Sequence, residues 1–333
     1  MNEVTARATT VTPIVERAMA ANRPIFLWGA PGIGKSELVA GITDSLPGNN
    51  LMIDLRLALM EPTDLRGYPF RNPDTNQMEW SPPVDLPTME QAELYDTIVL
   101  FLDELNSAPP SVQAASYQLI LNGRIGQYEM PSNVRIVAAG NRETDRGVTF
   151  RMPAPLANRF RHINMEVNFE DWQQWAVNNN IHSEVVGYLS YAKQDLFDFD
   201  PKTSSQAFAT PRSWSYVSEI LNVPGFAEAD RKEQLVELAG AIGEGMAIKF
   251  NEHRKIASDL PNPTDILNGK VKELNSKVAK EISAKYSLVV GLAYEINEAY
   301  KEAGSVDKDM GVMLNHMIRF AFNNFEPEMV IFS

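Results

Sequence analysis

The chain has 333 residues, with 43 acidic and 30 basic side chains, a formal charge of −13, four His and no Cys. This length and ordinary globular composition suit one large or two moderate domains, with a core that needs no disulfide or metal staple. The lack of Cys excludes thiolate chemistry and Cys-based zinc sites, the four His show no paired zinc spacing, and the acidic balance argues against broad nucleic-acid binding while leaving room for a local basic pocket.

Residues 1–5 lack the basic start and apolar stretch of a signal peptide, and the longest apolar runs, such as 288–294, are too short to span a bilayer. A cytoplasmic protein is the expectation. Residues 25–28 (Ile-Phe-Leu-Trp) form an apolar run ahead of Gly29-Ala30-Pro31-Gly32-Ile33-Gly34, the pattern of a buried strand entering a glycine-rich loop. A helix is expected from Lys35 to about Leu46, stopped by Pro47-Gly48, and a second strand over Leu51 to Leu55. Residues 61–87 are rich in Pro, Asp, Asn and Gly. Within them Tyr68-Pro69-Phe70 and Met78-Glu79-Trp80 flank the turn signal 72–76, which predicts a β-hairpin.

The continuous apolar run 97–102 reads as a parallel strand buried on both faces, ending in Asp103-Glu104. A helix over 110–122 follows, then a strand over 134–139 ending at Gly140-Asn141, then a fifth strand over 162–167. Strands alternating with helices predict an α/β fold with a mostly parallel sheet. Past residue 168 the pattern is helical, with helices expected over 171–175, 182–191, 213–221 and 232–250. From Val271, apolar residues at Leu274, Val278, Ile282, Val289, Leu292 and Ile296 predict a long amphipathic helix forming a bundle face. The surface changes with the pattern: Lys35 is the only lysine before Lys193, and twelve lysines lie from there onward.

Residues 29–36 match G-x-x-x-x-G-K-[ST] without a mismatch, in the required strand–loop–helix setting. Glycines let the backbone N–H groups turn toward phosphate oxygens, and the helix N-terminus faces the same anion. Lys35 would neutralise the β- and γ-phosphates, and the Ser36 hydroxyl would coordinate Mg²⁺, with Gly29, Ala30, Pro31, Gly32, Ile33, Gly34 and Glu37 completing the nucleotide-binding stretch. Asp103 and Glu104 stand where the buried strand reaches the ligand-binding edge of the sheet. Asp103 would hold the Mg²⁺ hydration shell and Glu104 would polarise the attacking water. Two adjacent carboxylates repel, which makes a divalent cation there physically sensible.

Several motifs in one order resemble the MoxR branch of AAA+ ATPases, over roughly residues 10–250. Residues 103–113 (Asp-Glu-Leu-Asn-Ser-Ala-Pro-Pro-Ser-Val-Gln) look like its extended Walker B segment, and Ala138-Ala139-Gly140-Asn141 resembles its sensor 1 strand end. Leu156-Ala157-Asn158-Arg159-Phe160 looks like its L-x-R-F segment lengthened by one residue, and Ala209-Thr210-Pro211-Arg212 its sensor 2. The insert 61–87 sits where this clade interrupts helix 2, and residues 141–146 resemble phage-encoded and McrB-like relatives more than the commoner MoxR wording.

The resemblance implies a P-loop core over residues 1–168, a helical lid over 169–258 and a C-terminal helical extension over 259–333. It implies an ATPase ring, hexameric by family, that uses Mg²⁺ and ATP to remodel or assemble a protein client, often one bearing a von Willebrand factor A-type domain. Asn141 would touch the attacking water or the γ-phosphate. Arg159 would act as a finger in the neighbouring subunit, with Arg151 and Arg161 in reserve, and Arg212 would reach the γ-phosphate from the lid. Adenine would lie near Pro13 and Ile14, residues that a plain loop before a helix explains equally well. The hairpin aromatics Tyr68, Phe70 and Trp80 would pack on their own domain, Trp80 above all, or meet the client. Arg66 and Arg71 offer thin evidence for nucleic-acid contact. The alternative is a motor subunit on nucleic acid or in a McrB-like restriction system.

Overall fold

The described residues form ten strands: β1 (Thr5–Ala6), β2 (Ile25–Trp28), β3 (Asn50–Arg56), β4 (Tyr68–Arg71), β5 (Met78–Ser81), β6 (Thr97–Asp103), β7 (Arg124–Ile125), β8 (Tyr128–Glu129), β9 (Val134–Gly140) and β10 (Arg161–Met165). They belong to a computed structural model of the chain that describes residues 4–332, apart from 146–148, 203–205, 277 and 306. Contacts divide the chain into two units, Met1–Asn168 and Phe169–Ser333.

In the first unit, six strands form one parallel sheet in the order β1-β10-β2-β9-β6-β3. Parallel strands need crossovers, supplied here by α1 (Ala8–Ala20), α2 (Lys35–Ser45), α3 (Pro62–Arg66), α4 (Met89–Leu94), α5 (Pro110–Asn122) and α6 (Ala154–Ala157). The pleat divides the run at β6 between two cores. Ile98, Leu100 and Leu102 join Val112 and Leu119 of α5 on one face, whereas Val99 and Phe101 join Val11 and Val15 of α1 and Val39 and Ile42 of α2 on the other. Residues 98–102 are fully buried, at about 1.5–3 kcal/mol for each large apolar side chain, which fixes the strand that carries Asp103.

Chain order and sheet order differ in a way that builds a site. β2 leads into the glycine-rich loop at the middle of the sheet, and β9 lies between it and β6. Trp28 pairs with Gly140, and Leu102 pairs with Ala138, so the carboxyl ends of all three strands finish at one edge.

Two details of this unit depart from the sequence reading. The residues before β2 form no plain loop. Pro13 and Ile14 sit inside α1, because burial of Val11, Val15, Ala18 and Met19 outweighs the hydrogen bond that Pro13 cannot donate. The expected hairpin is present as β4 and β5, and its aromatics behave differently from one another. Trp80 lies partly buried against Arg66, whose guanidinium stacks 5.0 Å from its ring, while Tyr68 stays 62% exposed and Phe70 44% exposed. Tyr68 therefore does not pack on its own domain. Arg71 donates to the Asn76 side-chain oxygen, and it and Arg66 of α3 both stay exposed.

The second unit is helical: α7 (Phe169–Asn178), α8 (Ser183–Tyr191), α9 (Pro211–Asn222), α10 (Arg231–Ile242), α11 (Glu244–Ala257), α12 (Pro263–Leu267), α13 (Ile282–Ala303), α14 (Lys308–Asn324) and α15 (Pro327–Phe332). Tyr188, Trp214 and Phe250 pack edge to face or tilted at its centre, and His253 lies against the Tyr188 ring. The helix expected over 232–250 is two helices. Gly243 breaks it with a φ of 85°, a conformation open to glycine and closed to most residues. The long helix expected from Val271 begins only at Ile282. Ahead of it the chain is irregular, and the Leu274 N–H is taken by the Asn324 side chain, while Leu274 still packs into the α12–α14 core. Among the described residues no helix is long and apolar enough to cross a membrane.

Candidate nucleotide site

The glycine-rich loop passes from β2 to α2, with positive φ at Gly32 (75°) and Gly34 (89°). That curl places Lys35 and Ser36 at the first turn of α2, facing the ends of β6 and β9. The Lys35 side chain is 9% exposed, and its ammonium donates to the carbonyls of Gly29 (2.8 Å) and Ala30 (3.0 Å) and to Oδ1 of Asn141 (3.2 Å). The Ser36 hydroxyl donates to Oδ2 of Asp103 at 3.4 Å. Lys35, Ser36, Asp103 and Asn141, 106 positions apart at the extremes, thus meet at one sheet edge.

Glu104 follows Asp103 with a left-handed φ of 55°, unusual for a residue with a Cβ. Its N–H donates to Oδ1 of Asp103 at 2.9 Å, which helps to hold the turn. Asp54 near the end of β3 was not anticipated. Partial burial, then the neighbouring Asp103 carboxylate, raise its pKa, Arg56 opposes the rise, and Glu37 adds to it. The signal for it was an acid closing the apolar run Leu51-Met52-Ile53.

Among the described residues no three His, Asp or Glu side chains are grouped to hold a metal ion by themselves. The donor set fits Mg²⁺ all the same, because this ion keeps several waters and takes few protein ligands when phosphates share it. A hydroxyl and a carboxylate in contact, Ser36 and Asp103, are hard oxygen donors of the right kind.

The remaining candidates take no part in the hydrogen bonds of this cluster. Arg151, Arg159 and Arg161 are exposed on the segment that includes α6, and the Arg159 guanidinium has no hydrogen bond or ion pair among the described residues. Arg212 is exposed in the first turn of α9, a helix capped by the mutual hydrogen bonds of Thr210 and Ser213, and belongs to the second unit. Pro13 and Ile14 are half-buried in α1. Arg142 reaches back to the carbonyl of Met165 at the end of β10, and its backbone N–H donates to Oδ2 of Asp145 at 3.0 Å. Arg146 lies outside the described residues.

Residues 24–160 match the AAA domain of the dynein-related subfamily. Midasin from Giardia intestinalis is 27% identical over 193 residues, which is 55% of this chain but only 4% of midasin. NtrX from Brucella abortus superposes with a TM-score of 0.41 at 15% identity, covering 94% of this chain and 69% of that one. Its complex with ADP gives 0.42 at 14%, covering 96% and 70%. Likeness at that level carries no functional argument. Sheet order, loop and domain match agree that the chain has a P-loop AAA+ α/β core followed by a helical region.

Proposed function

We propose that this chain is a Mg²⁺-dependent ATPase of MoxR type that works as one subunit of a ring, hexameric by family, and uses ATP turnover in the cytoplasm to remodel or assemble a protein partner. The observation that carries the ATPase reading is the hydrogen-bonded cluster of Lys35, Ser36, Asp103 and Asn141 at the carboxyl edge of the sheet.

Phosphoryl transfer to water needs positioning and charge neutralisation rather than covalent help. Lys35 spends its protons on the loop's own carbonyls, and incoming β- and γ-phosphate oxygens, being anionic, outcompete those neutral acceptors. Ser36 and Asp103 would hold Mg²⁺, which when bound supplies further positive charge to the phosphates. Glu104 orients and polarises the attacking water from a left-handed turn just past the strand. Asn141 donates its amide to that water or to the γ-phosphate. Arg159, exposed and unpaired, serves a neighbouring subunit as its finger, and Arg212 reports the γ-phosphate to the helical unit. Adenine lies beside Pro13 and Ile14.

The exposed Tyr68 and Phe70 of the hairpin support a protein client, of which a von Willebrand factor A-type domain is one kind. A charge of −13 weighs against a nucleic-acid motor. A pull-down with the Glu104→Gln chain in MgATP tests this half of the reading. A protein retained with ATP and released without it supports remodelling, whereas recovery of DNA or RNA turns the reading to the motor.

A further inference from the structure

One buried polar side chain joins the nucleotide-facing strand ends and has no role in the scheme above. Asn106, three residues past Asp103, is 2% exposed. Its Nδ2 donates to the backbone carbonyl of Asn141 at 2.7 Å. Its own carbonyl accepts from the Phe150 N–H at 2.7 Å, and the N–H of its neighbour Leu105 donates to the Ala139 carbonyl at 3.1 Å. The approach is close enough to need glycine at 140, since a Cβ there would lie 2.0 Å from Oδ1 of Asn106 and 2.9 Å from the tip of the Phe26 ring. Oδ1 is buried without a hydrogen-bond partner, an expensive state for a side chain whose only duty is filling space.

We infer that Asn106 is a positioning residue that locks Asn141 to the Asp103-Glu104 turn and passes its position to the segment carrying Arg151 and Arg159. The inference rests on the ATPase reading. Asn141 meets Lys35 through its side chain and Asn106 through its backbone, so a γ-phosphate arriving at or leaving that pair displaces the Asn141 carbonyl. Asn106 follows, because its amide has one partner on the sheet edge. Phe150, held by the backbone carbonyl of the same residue, directly precedes Arg151 on the way to Arg159. Catalytic geometry and the inter-subunit arginines would then move together.

The test compares wild type, Asn106→Ala and Asn106→Asp by calorimetric MgATP affinity, steady-state phosphate release and thermal melting. Asp keeps the shape of Asn and cannot donate from that position when ionised. Both variants are expected to bind MgATP within about threefold of wild type while kcat falls about 10- to 100-fold, the usual effect of losing a group that orients another. Unchanged kcat, or affinity falling as far as kcat, would overturn the inference. Loss of the folded state in both variants would also overturn it, by making Asn106 a packing residue. A wild-type chain that releases no phosphate from MgATP would instead refute the ATPase reading beneath it.

Discussion

Replacing Lys35 by Ala separates binding from folding. The substitution removes hydrogen bonds from a cation at 2.8, 3.0 and 3.2 Å, two of them to the carbonyls of the buried loop residues Gly29 and Ala30. The cost to folding is therefore about 1–3 kcal/mol. On the proposed reading, the same ammonium would be the chain's own positive charge at the phosphates when nucleotide is bound. Its loss, at about 2.7 kcal/mol for a charge-assisted contact, weakens affinity about a hundredfold. MgATP supplied at about a hundred times the wild-type Kd stabilises wild type by about 2.7 kcal/mol, and the variant, then near its own Kd, by about 0.4 kcal/mol. For the unit Met1–Asn168, that gain moves the melting midpoint by about 5–11 °C in wild type and by about 1–2 °C in the variant. Differential scanning of both chains with and without MgATP reads the difference. Equal shifts would refute the placement of Lys35 on the phosphates.

Two further outcomes follow from named residues. Arg159→Ala is expected to bind MgATP normally and to lose turnover by about a thousandfold, and mixing it with the Lys35→Ala chain should restore some phosphate release; turnover unaffected by the substitution would remove Arg159 from the finger role. His253 is buried, with Nε2 on the Ser287 hydroxyl, and burial lowers its pKa to about 4. The unfolded chain, with an ordinary imidazole, takes the proton first as pH falls. The contribution is thus complete above about pH 6.5 and disappears toward pH 4, by about 3 kcal/mol in all. Denaturant titrations of wild type and His253→Gln should diverge over that interval, and parallel curves would show that this imidazole is not the group responsible.

Much of the core could be read from periodicity. The run at residues 97–102 is apolar at every position because both faces of β6 are covered, and the chain order of loop, acidic pair and Asn141 could be read from short motifs. Legibility failed where a tertiary contact overrode a local signal. Pro13 argues locally for a boundary, yet burial of Val11 and Val15 carries α1 through it. Thr5 and Ala6 form a strand only because β10 offers an edge to pair with. Leu274 keeps helical spacing with its successors and packs in the core from an irregular segment. At the site, motifs pointed to Lys35, Ser36, Asp103 and Asn141, since each is a residue type with one chemistry at a fixed spacing. Asn106 and Asp54 escaped because their parts depend on what lies across the sheet, as does the left-handed turn at Glu104.

On the proposed reading, ATP is hydrolysed at this sheet edge with Glu104 handling the water. Single-turnover hydrolysis of MgATP by wild type and Glu104→Gln, with binding measured on the same samples, addresses it most directly. Equal affinity in the two chains, phosphate release by wild type only in the presence of Mg²⁺, and intact ATP held by Glu104→Gln are expected. Hydrolysis by Glu104→Gln at the wild-type rate, or none by wild type, would contradict it.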